Sequence, residues 1–447
     1  MQSVLVTADA LRADHLSQYG YHRDTLPALD RFCSDGTRFE HAYANGPHSG
    51  VSIPSFLTSR HRGEAALADG PTVASVLADA GYRTAAFHSN TLVANQFDRM
   101  VGFETYEDFD IADNRTEHRA FEKSFLDRIY GGLALVSDAI ADRSTVVRTL
   151  HERFVPPEHR FDFQVYVDAE TVTDRVLGWL SDHADEEFFL WVHYMDPHRP
   201  YGIDPDDLAY VDTPISDETI QSLMSRAGTD DDSLTADERS LLEDLYDSDL
   251  RYLSEHLDRL FDGIERTCGS EDTLIAFTAD HGEEFRDHGM FFHRNHPYDE
   301  LLHVPLLVRH PDHDRRRVEG QRSLVDLAPT ICAFHDVPPD EGFEGRDLFE
   351  ATPRDVYATG SFRGDGTVAA VRTPEWKYIV IDGADDELYH LVDDPAERRD
   401  VASRHPDRAA VLRDRIPESL TAGTPTQPPT DVAGDTERRL EHLGYLE

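Results

Sequence analysis

The sequence predicts an α/β protein: a doubly wound, mostly parallel sheet with a small antiparallel subdomain near the C-terminal end. Three observations carry that prediction. Apolar runs of strand length at residues 4–7, 188–194 and 273–278 alternate with helical patterns, as in a sheet covered on both faces. Each of these runs leads into acidic or histidine residues, and ligands of open α/β sheets bind beyond the carboxyl ends of the strands. After Pro338 the pattern changes to short strand-like runs at 368–372, 378–381 and 387–390.

The elements follow in order. Residues 4–7 read as a buried strand ending at Asp9, and 26–33 as a helix with Thr25-Leu26-Pro27 as its start. A second strand is predicted near 39–43, a turn entering a helix at 46–59, a helix at 72–80 and a strand at 82–87. Residues 110–165 are polar and mixed, and read as a helical insertion. An amphipathic helix at 172–183 precedes the strand at 188–194. Residues 205–250 are strongly acidic and read as a second helical insertion with a solvated surface. Further helices are predicted at 253–264 and 324–334, and a strand at 304–308. Pro406 suits the first turn of a last helix at 406–416. The expected organisation is a catalytic α/β domain at 1–337, a C-terminal subdomain at 338–420, and an extended Thr/Pro-rich tail at 421–447 with a short terminal helix. No internal repeat and no P-loop occur.

The chain has 447 residues, with 87 acidic against 43 basic, a formal charge of −44. That field argues against nucleic acid as a partner. Only Lys123 and Lys377 are lysine; every other basic residue is arginine. Surplus Asp and Glu with almost no Lys is the pattern of a halophilic, archaeal-type protein, because strong screening makes the self-repulsion tolerable. No run of about 18 apolar residues exists, so no membrane-spanning helix is expected. Cys33, Cys268 and Cys332 are too few and too widely spaced for a disulfide framework or a zinc ribbon. No basic segment precedes the first strand, and the expected location is cytoplasmic.

Three strand ends gather chemistry: Asp9, Asp196 with His198, and Asp280 with His281. Each has a plain reading. Asp9 could cap a helix, Asp196-Pro197-His198 could be a polar turn, and Asp280-His281-Gly282-Glu283 could place acids on a helix dipole. Read together, Asp9, Asp280 and His281 offer two carboxylates and an imidazole to one divalent cation. Oxygen ligands suit Ca²⁺ or Mg²⁺, and the imidazole moves the preference toward Mn²⁺, with Zn²⁺ also compatible.

These residues resemble the sulfatase family of the alkaline phosphatase superfamily, in a haloarchaeal-type version. Val4-Leu5-Val6-Thr7-Ala8-Asp9 looks like that family's first strand, and Met195-Asp196-Pro197-His198-Arg199-Pro200-Tyr201 like its PHxPY segment. Thr278-Ala279-Asp280-His281-Gly282-Glu283 resembles its second metal motif. Tyr298 through Pro305, Ser323 through Thr330, and Trp376-Lys377-Tyr378 are similar to its later landmarks. The resemblance implies an alkaline-phosphatase-like fold, metal ligation by Asp9, Asp280 and His281, and His198 as proton donor to the leaving group.

The nucleophile segment departs from the family's C/S-x-P-S-R pattern. Anchoring on Phe56-Leu57-Thr58-Ser59 puts Ser49 at the nucleophile, and Gly46-Pro47 also favours that frame. A competing frame reads Ser52-Ile53-Pro54-Ser55 and selects Ser52. In either frame the family's arginine is absent, replaced by Ile53 or Phe56, which argues against conversion of Ser49 to formylglycine. An unmodified serine suffices for phosphoryl transfer, and a helix N-terminus favours a bound anion; Ser49 could equally be a helix N-cap. Arg294, beside His293, maps to the family's substrate-gripping basic residue. Asn90 stands where a lysine is expected and offers a neutral hydrogen bond. A second ion held by Asp196, His198 and His293 is a lesser alternative.

The implied function is hydrolysis of a small-molecule or glycan sulfate ester. One alternative is a phosphodiesterase, phosphonate hydrolase or head-group transferase using plain serine. Another is a degenerate member that binds anions without turnover. The sequence leaves the oligomeric state open.

Overall fold

The structure is a computed structural model that describes residues 1–62, 70–94, 101–109, 166–202, 208–229, 231–269, 272–293, 296–313, 316–350, 354–361 and 367–421. The elements below belong to one compact unit, residues 1–109 and 167–432. The predicted insertion at 110–165 and the tail beyond Thr421 lie outside the described residues.

The central sheet has nine strands: β1 (Gln2–Ala8), β2 (Thr37–Tyr43), β3 (Arg83–His88), β4 (Thr105–Glu107), β5 (Phe188–Tyr194), β6 (Thr273–Ala279), β9 (His303–Arg309), β10 (Arg316–Val318) and β11 (Arg322–Ser323). A separate hairpin pairs β7 (Glu284–Phe285) with β8 (Phe291–Phe292). The spatial order is β10-β2-β9-β6-β1-β5-β3-β4, with β11 also on β2. Every pairing is parallel except those of β9, which runs against both β6 and β2. β1, β5 and β6 are central, and their residues are buried save Gln2. That explains why they read as continuous apolar runs and not as alternating ones.

Register decides what happens at the rim. Ala8 lies opposite Tyr194 on one side and Ala279 on the other. The next residues therefore emerge together. Asp9 N–H donates to the Tyr194 carbonyl at 2.8 Å, and Asp280 N–H donates to the Ala8 carbonyl at 3.3 Å. Ala10 then takes a left-handed φ of +56°, which turns the chain away and leaves Asp9 at the sheet edge.

Helices cover the sheet. α1 (Ser49–Thr58) is buried throughout. α2 (Ala169–Asp182) starts where the Asp168 side chain accepts from Thr171 N–H. α3 (Ala236–Cys268) opens with a Thr235/Glu238 capping box and runs for 33 residues. It corrects the solvated-surface reading of its first half. Leu242, Leu245, Tyr246, Leu250, Leu253, Leu257, Leu260 and Ile264 are buried at helical spacing, so one apolar stripe joins the acidic stretch to the helix expected at 253–264. α4 (Leu327–Phe334) packs near α1. The C-terminal strands β12 (Val356–Ser361), β13 (Thr367–Arg372), β14 (Trp376–Ile381) and β15 (Glu387–His390) form an antiparallel meander. β12 is a strand that the sequence reading did not include. Among the described residues no helix is long and apolar enough to cross a membrane.

Candidate active site

The carboxyl ends of β1, β5 and β6 meet the N-terminus of α1. Asp9 and Asp280 have no solvent exposure. Asp9 Oδ2 accepts hydrogen bonds from Ser49 Oγ–H at 3.1 Å and from Asn90 Nδ2–H at 2.8 Å, and His193 Nε2 lies 3.2 Å from it. His281 Nε2 lies 3.3 Å from Asp9 Oδ1, 3.7 Å from Asp280 Oδ2 and 3.4 Å from Ser49 Oγ. One ligand atom each from Asp9, His193 and Asp280 falls within 4.8 Å of the others. The structure thus brings Asp9, Ser49, Asn90, Asp280 and His281 together from five separate stretches of chain.

His193 belongs to this cluster, and sequence reasoning gave it no role. Its signal was present: one imidazole in the otherwise apolar run Phe188–Tyr194. The Thr7 hydroxyl donates to the Val192 carbonyl and accepts from Trp191 Nε1–H. Its remaining acceptor position faces His193 Nδ1 at 2.9 Å. Nδ1 then carries the hydrogen, and Nε2 presents its lone pair toward Asp9. His281 repeats the device, with Nδ1–H donating to the Gly282 carbonyl at 2.7 Å. Fixing the second ring nitrogen in this way is how proteins prepare histidine as a metal ligand.

The electrostatics also ask for a cation. Burial pushes Asp9 up, but His198, His193 and His281 outweigh it and hold the carboxyl well below its usual range. Burial and then the neighbouring Asp9 charge push Asp280 up. Burial opposes protonation of His281, yet Asp280 and Asp9 raise it to about 9. Asp280 Oδ2 is buried and has no hydrogen-bond partner among the described residues. Asp9, Asp280 and His193 could together hold one divalent ion; His281 is not part of that ligand group, and its Nε2 lies against both carboxylates, 3.3 Å from Asp9 Oδ1 and 3.7 Å from Asp280 Oδ2.

A family model described as Sulfatase matches residues 2–337. The chain belongs to the sulfatase family. The uncharacterized sulfatase YidJ of Escherichia coli (strain K12) is 25% identical over 254 residues. That match covers 52% of this chain and 51% of YidJ, so the chain spans about half the length of that relative. Among solved structures, the phosphonate monoester hydrolase of Agrobacterium radiobacter aligns with a TM-score of 0.66 at 18% identity, covering 94% of this chain and 95% of that one. A structure in complex with its substrate D-glucosamine-2-N,6-O-disulfate aligns with a TM-score of 0.69 at 17% identity, covering 95% and 99%. At these identities the structural likeness is one of fold.

Within the sulfatase frame, the two candidate serines separate. Ser49 is the first residue of α1, and its hydroxyl faces Asp9. The Ser52 hydroxyl is buried and finds no hydrogen-bond partner among the described residues. Ile53 and Phe56, where the arginine would stand, are packed in the core.

His198 and His293 form a second layer. Their rings lie 5.0 Å apart, and His293 is 4.5 Å from the His281 ring. Glu283 Oε1 sits 3.1 Å from His293 Nδ1, and Glu283 Oε2 accepts from Tyr201 Oη–H at 2.8 Å. Burial pushes His198 down to about 3 and holds His293 well below its ordinary value. His198 Nδ1–H donates to the Arg199 carbonyl at 2.6 Å, so its Nε2 is an acceptor in the free protein. Arg294 lies outside the described residues. Asp196, His198 and His293 do not form a group able to share an ion among the described residues. The Asp196 carboxyl is buried, has no hydrogen-bond partner among the described side chains and is pushed well up, first by burial and then by Asp249.

Proposed function

We propose that the protein hydrolyses sulfate esters of a small molecule or glycan, with Ser49 Oγ as the attacking atom. The observation that supports this is the Ser49 hydroxyl at the head of a buried helix, 3.1 Å from Asp9 and 3.4 Å from His281. The helix N-terminus supplies N–H groups and a favourable dipole for the ester's anionic oxygens.

One divalent ion held by Asp9, Asp280 and His281, with His193 as a further ligand, would lower the pKa of the Ser49 hydroxyl and neutralise charge on the ester. The imidazoles favour Mn²⁺ or Zn²⁺ over Ca²⁺ and Mg²⁺. Asp9 Oδ2 aims the hydroxyl, and Asn90 holds that carboxylate in place. Ser49 Oγ forms a bond to sulfur as the bond to the leaving oxygen breaks, and the hydroxyl proton passes to water. His198 serves the leaving group. An anionic ester beside the ring opposes the desolvation that keeps it neutral, so Nε2 gains a proton on binding and gives it to the departing oxygen. Water then cleaves the Ser49 ester. Arg294 is assigned to the ester's outer oxygens. The strong acid surplus and near absence of lysine support a high-salt, cytoplasmic setting as part of this reading.

A second reading is supported by the apolar burial of Ile53 and Phe56. Without the arginine, Ser49 stays a plain serine, and phosphate or phosphonate esters become the better substrates.

The test compares aryl sulfate with aryl phosphate and phosphonate esters in concentrated KCl, alongside mass spectrometry of the Ser49 peptide. Aryl sulfate turnover above the others supports the first reading. An unmodified Ser49 with preference for phosphorus esters moves the assignment to the second. No turnover of any ester with metal bound leaves the anion-binding alternative.

A further inference from the structure

A second group of metal-ligating side chains lies outside the site described above. Glu284 begins β7, His288 follows in the loop toward β8, and Glu300 sits in the short helix Asp299–Leu302. One ligand atom of each lies within 4.8 Å of the other two.

The backbone brings these segments close on purpose-built geometry. Gly282 N–H donates to the Leu301 carbonyl at 2.8 Å. A Cβ on Gly282 would lie 2.0 Å from the Glu300 carbonyl oxygen, so only glycine permits this approach. Glu284 is thereby set against Glu300. It is 3% exposed, and its carboxylate accepts no hydrogen bond from any described residue. The Glu300 side chain is 7% exposed. Two carboxylates facing each other with little water need a compensating positive charge.

His288 is prepared as the third ligand. Its Nε2–H donates to the Glu397 main-chain carbonyl at 3.0 Å. A carbonyl only accepts, so Nδ1 is the nitrogen that can surrender its proton, and it faces Glu300 Oε1. The ring plane is fixed by Tyr298, stacked at 3.6 Å with an 8° tilt. This is the same arrangement that orients His281.

We propose that Glu284, His288 and Glu300 form a second divalent-cation site. It takes a Zn²⁺- or Mn²⁺-type ion, given two carboxylates and one imidazole. Its ligands and the Glu397 carbonyl come from three stretches of chain, so the bound ion acts as a clasp between the end of the central sheet and the C-terminal subdomain. The ion binds only the folded chain and therefore stabilises it by mass action.

The test uses the full chain, freed of metal by chelation and dialysed into concentrated KCl to screen diffuse binding by surface acids. Zn²⁺ alone is the probe, with bound ion counted by plasma mass spectrometry and melting followed in parallel. The wild type should hold two ions. Asp280→Asn should hold one and still melt higher with Zn²⁺. Glu284→Gln/Glu300→Gln should also hold one, with affinity at this site reduced by about 100-fold or more. If the double variant does not fold, Glu284→Gln alone, which leaves the His288–Glu300 pair intact, is read the same way. Wild-type stoichiometry in the Gln variants overturns the proposal. So does loss of all bound Zn²⁺ in Asp280→Asn, which would mean that a shared proton satisfies the two glutamates. Either failure leaves the assignment of Ser49 and Asp9 untouched.

Discussion

Ser49 Oγ and Asp9 Oδ2 lie 3.1 Å apart, though 40 residues separate them in the chain. One is the first residue of a helix and the other the residue after a strand. Their meeting puts a hydroxyl against a carboxylate that also accepts from Asn90 and lies 3.2 Å from His193 Nε2.

Ser49→Ala should lower turnover by at least about 10³-fold, the scale expected for loss of a nucleophile. Its melting temperature should change little, since a methyl group replaces a hydroxyl at a helix start. Ser52→Ala should keep most activity, because that hydroxyl finds no partner among the described residues. Steady-state kinetics on both variants check this. Full activity in Ser49→Ala would remove Ser49 from the mechanism.

Chelation should silence the enzyme, and Asp9→Asn or Asp280→Asn should prevent reactivation by added metal. Removing the ion restores two facing carboxylates that then rely on a protonated His281. We expect turnover to return on titration with Mn²⁺ in the wild type only. Activity that survives exhaustive chelation would exclude an ion at Asp9.

His193→Gln should weaken metal binding by about 10–100-fold with little change in fold content. Thr7→Val should act in the same direction but less, because it removes only the acceptor for Nδ1–H. Calorimetric titration of the two variants measures both effects. Unchanged affinity in His193→Gln would show that the ring only packs.

Lys377→Met should destabilise the chain by about 3–5 kcal/mol. Lys377 is fully buried, and its Nζ lies 2.9 Å from Asp299 Oδ1 and 2.9 Å from Glu397 Oε1. Arg372 still serves Asp299 at 2.9 Å, but Glu397 would be left a buried, uncompensated charge. Denaturant unfolding at constant KCl reads the difference. A loss below about 1 kcal/mol would mean that the cluster tolerates an apolar substitute.

Stability should fall on acidification below about pH 6.5. Burial pushes His61 and His88 down to about 3 and His335 down to about 4. In the unfolded chain each titrates near 6.5. Below that value the unfolded chain binds protons that the folded chain does not, so stability is greatest above it and declines toward pH 4. Each histidine contributes a slope of about 1.4 kcal/mol per pH unit. His88→Gln should reduce the total slope by one such increment, measured by urea midpoints from pH 7.5 to 4.5. An unaltered slope would mean that His88 is already protonated when folded.

The sequence by itself determined the architecture and half of the site. Continuous apolar runs can only be strands buried on both faces, and the polar residue after each must surface at the sheet edge, as Asp9 and Asp280 do. Tertiary structure decided the rest. Ser49 and Ser52 share a helix, and only the docking of α1 on the sheet chose which hydroxyl meets Asp9. His193 was hidden in an apolar strand, because which face a strand residue takes depends on register with β1. Asp196 carries the same local signature as Asp280, yet its electrostatic neighbour is Asp249 on α3. The acidic stretch leading into α3 reads as solvated from composition, and only its packed partner reveals the leucine stripe. Local pattern reports what each segment needs to bury. Which side chains then face one another depends on contacts between residues far apart in the chain, and no single segment encodes them.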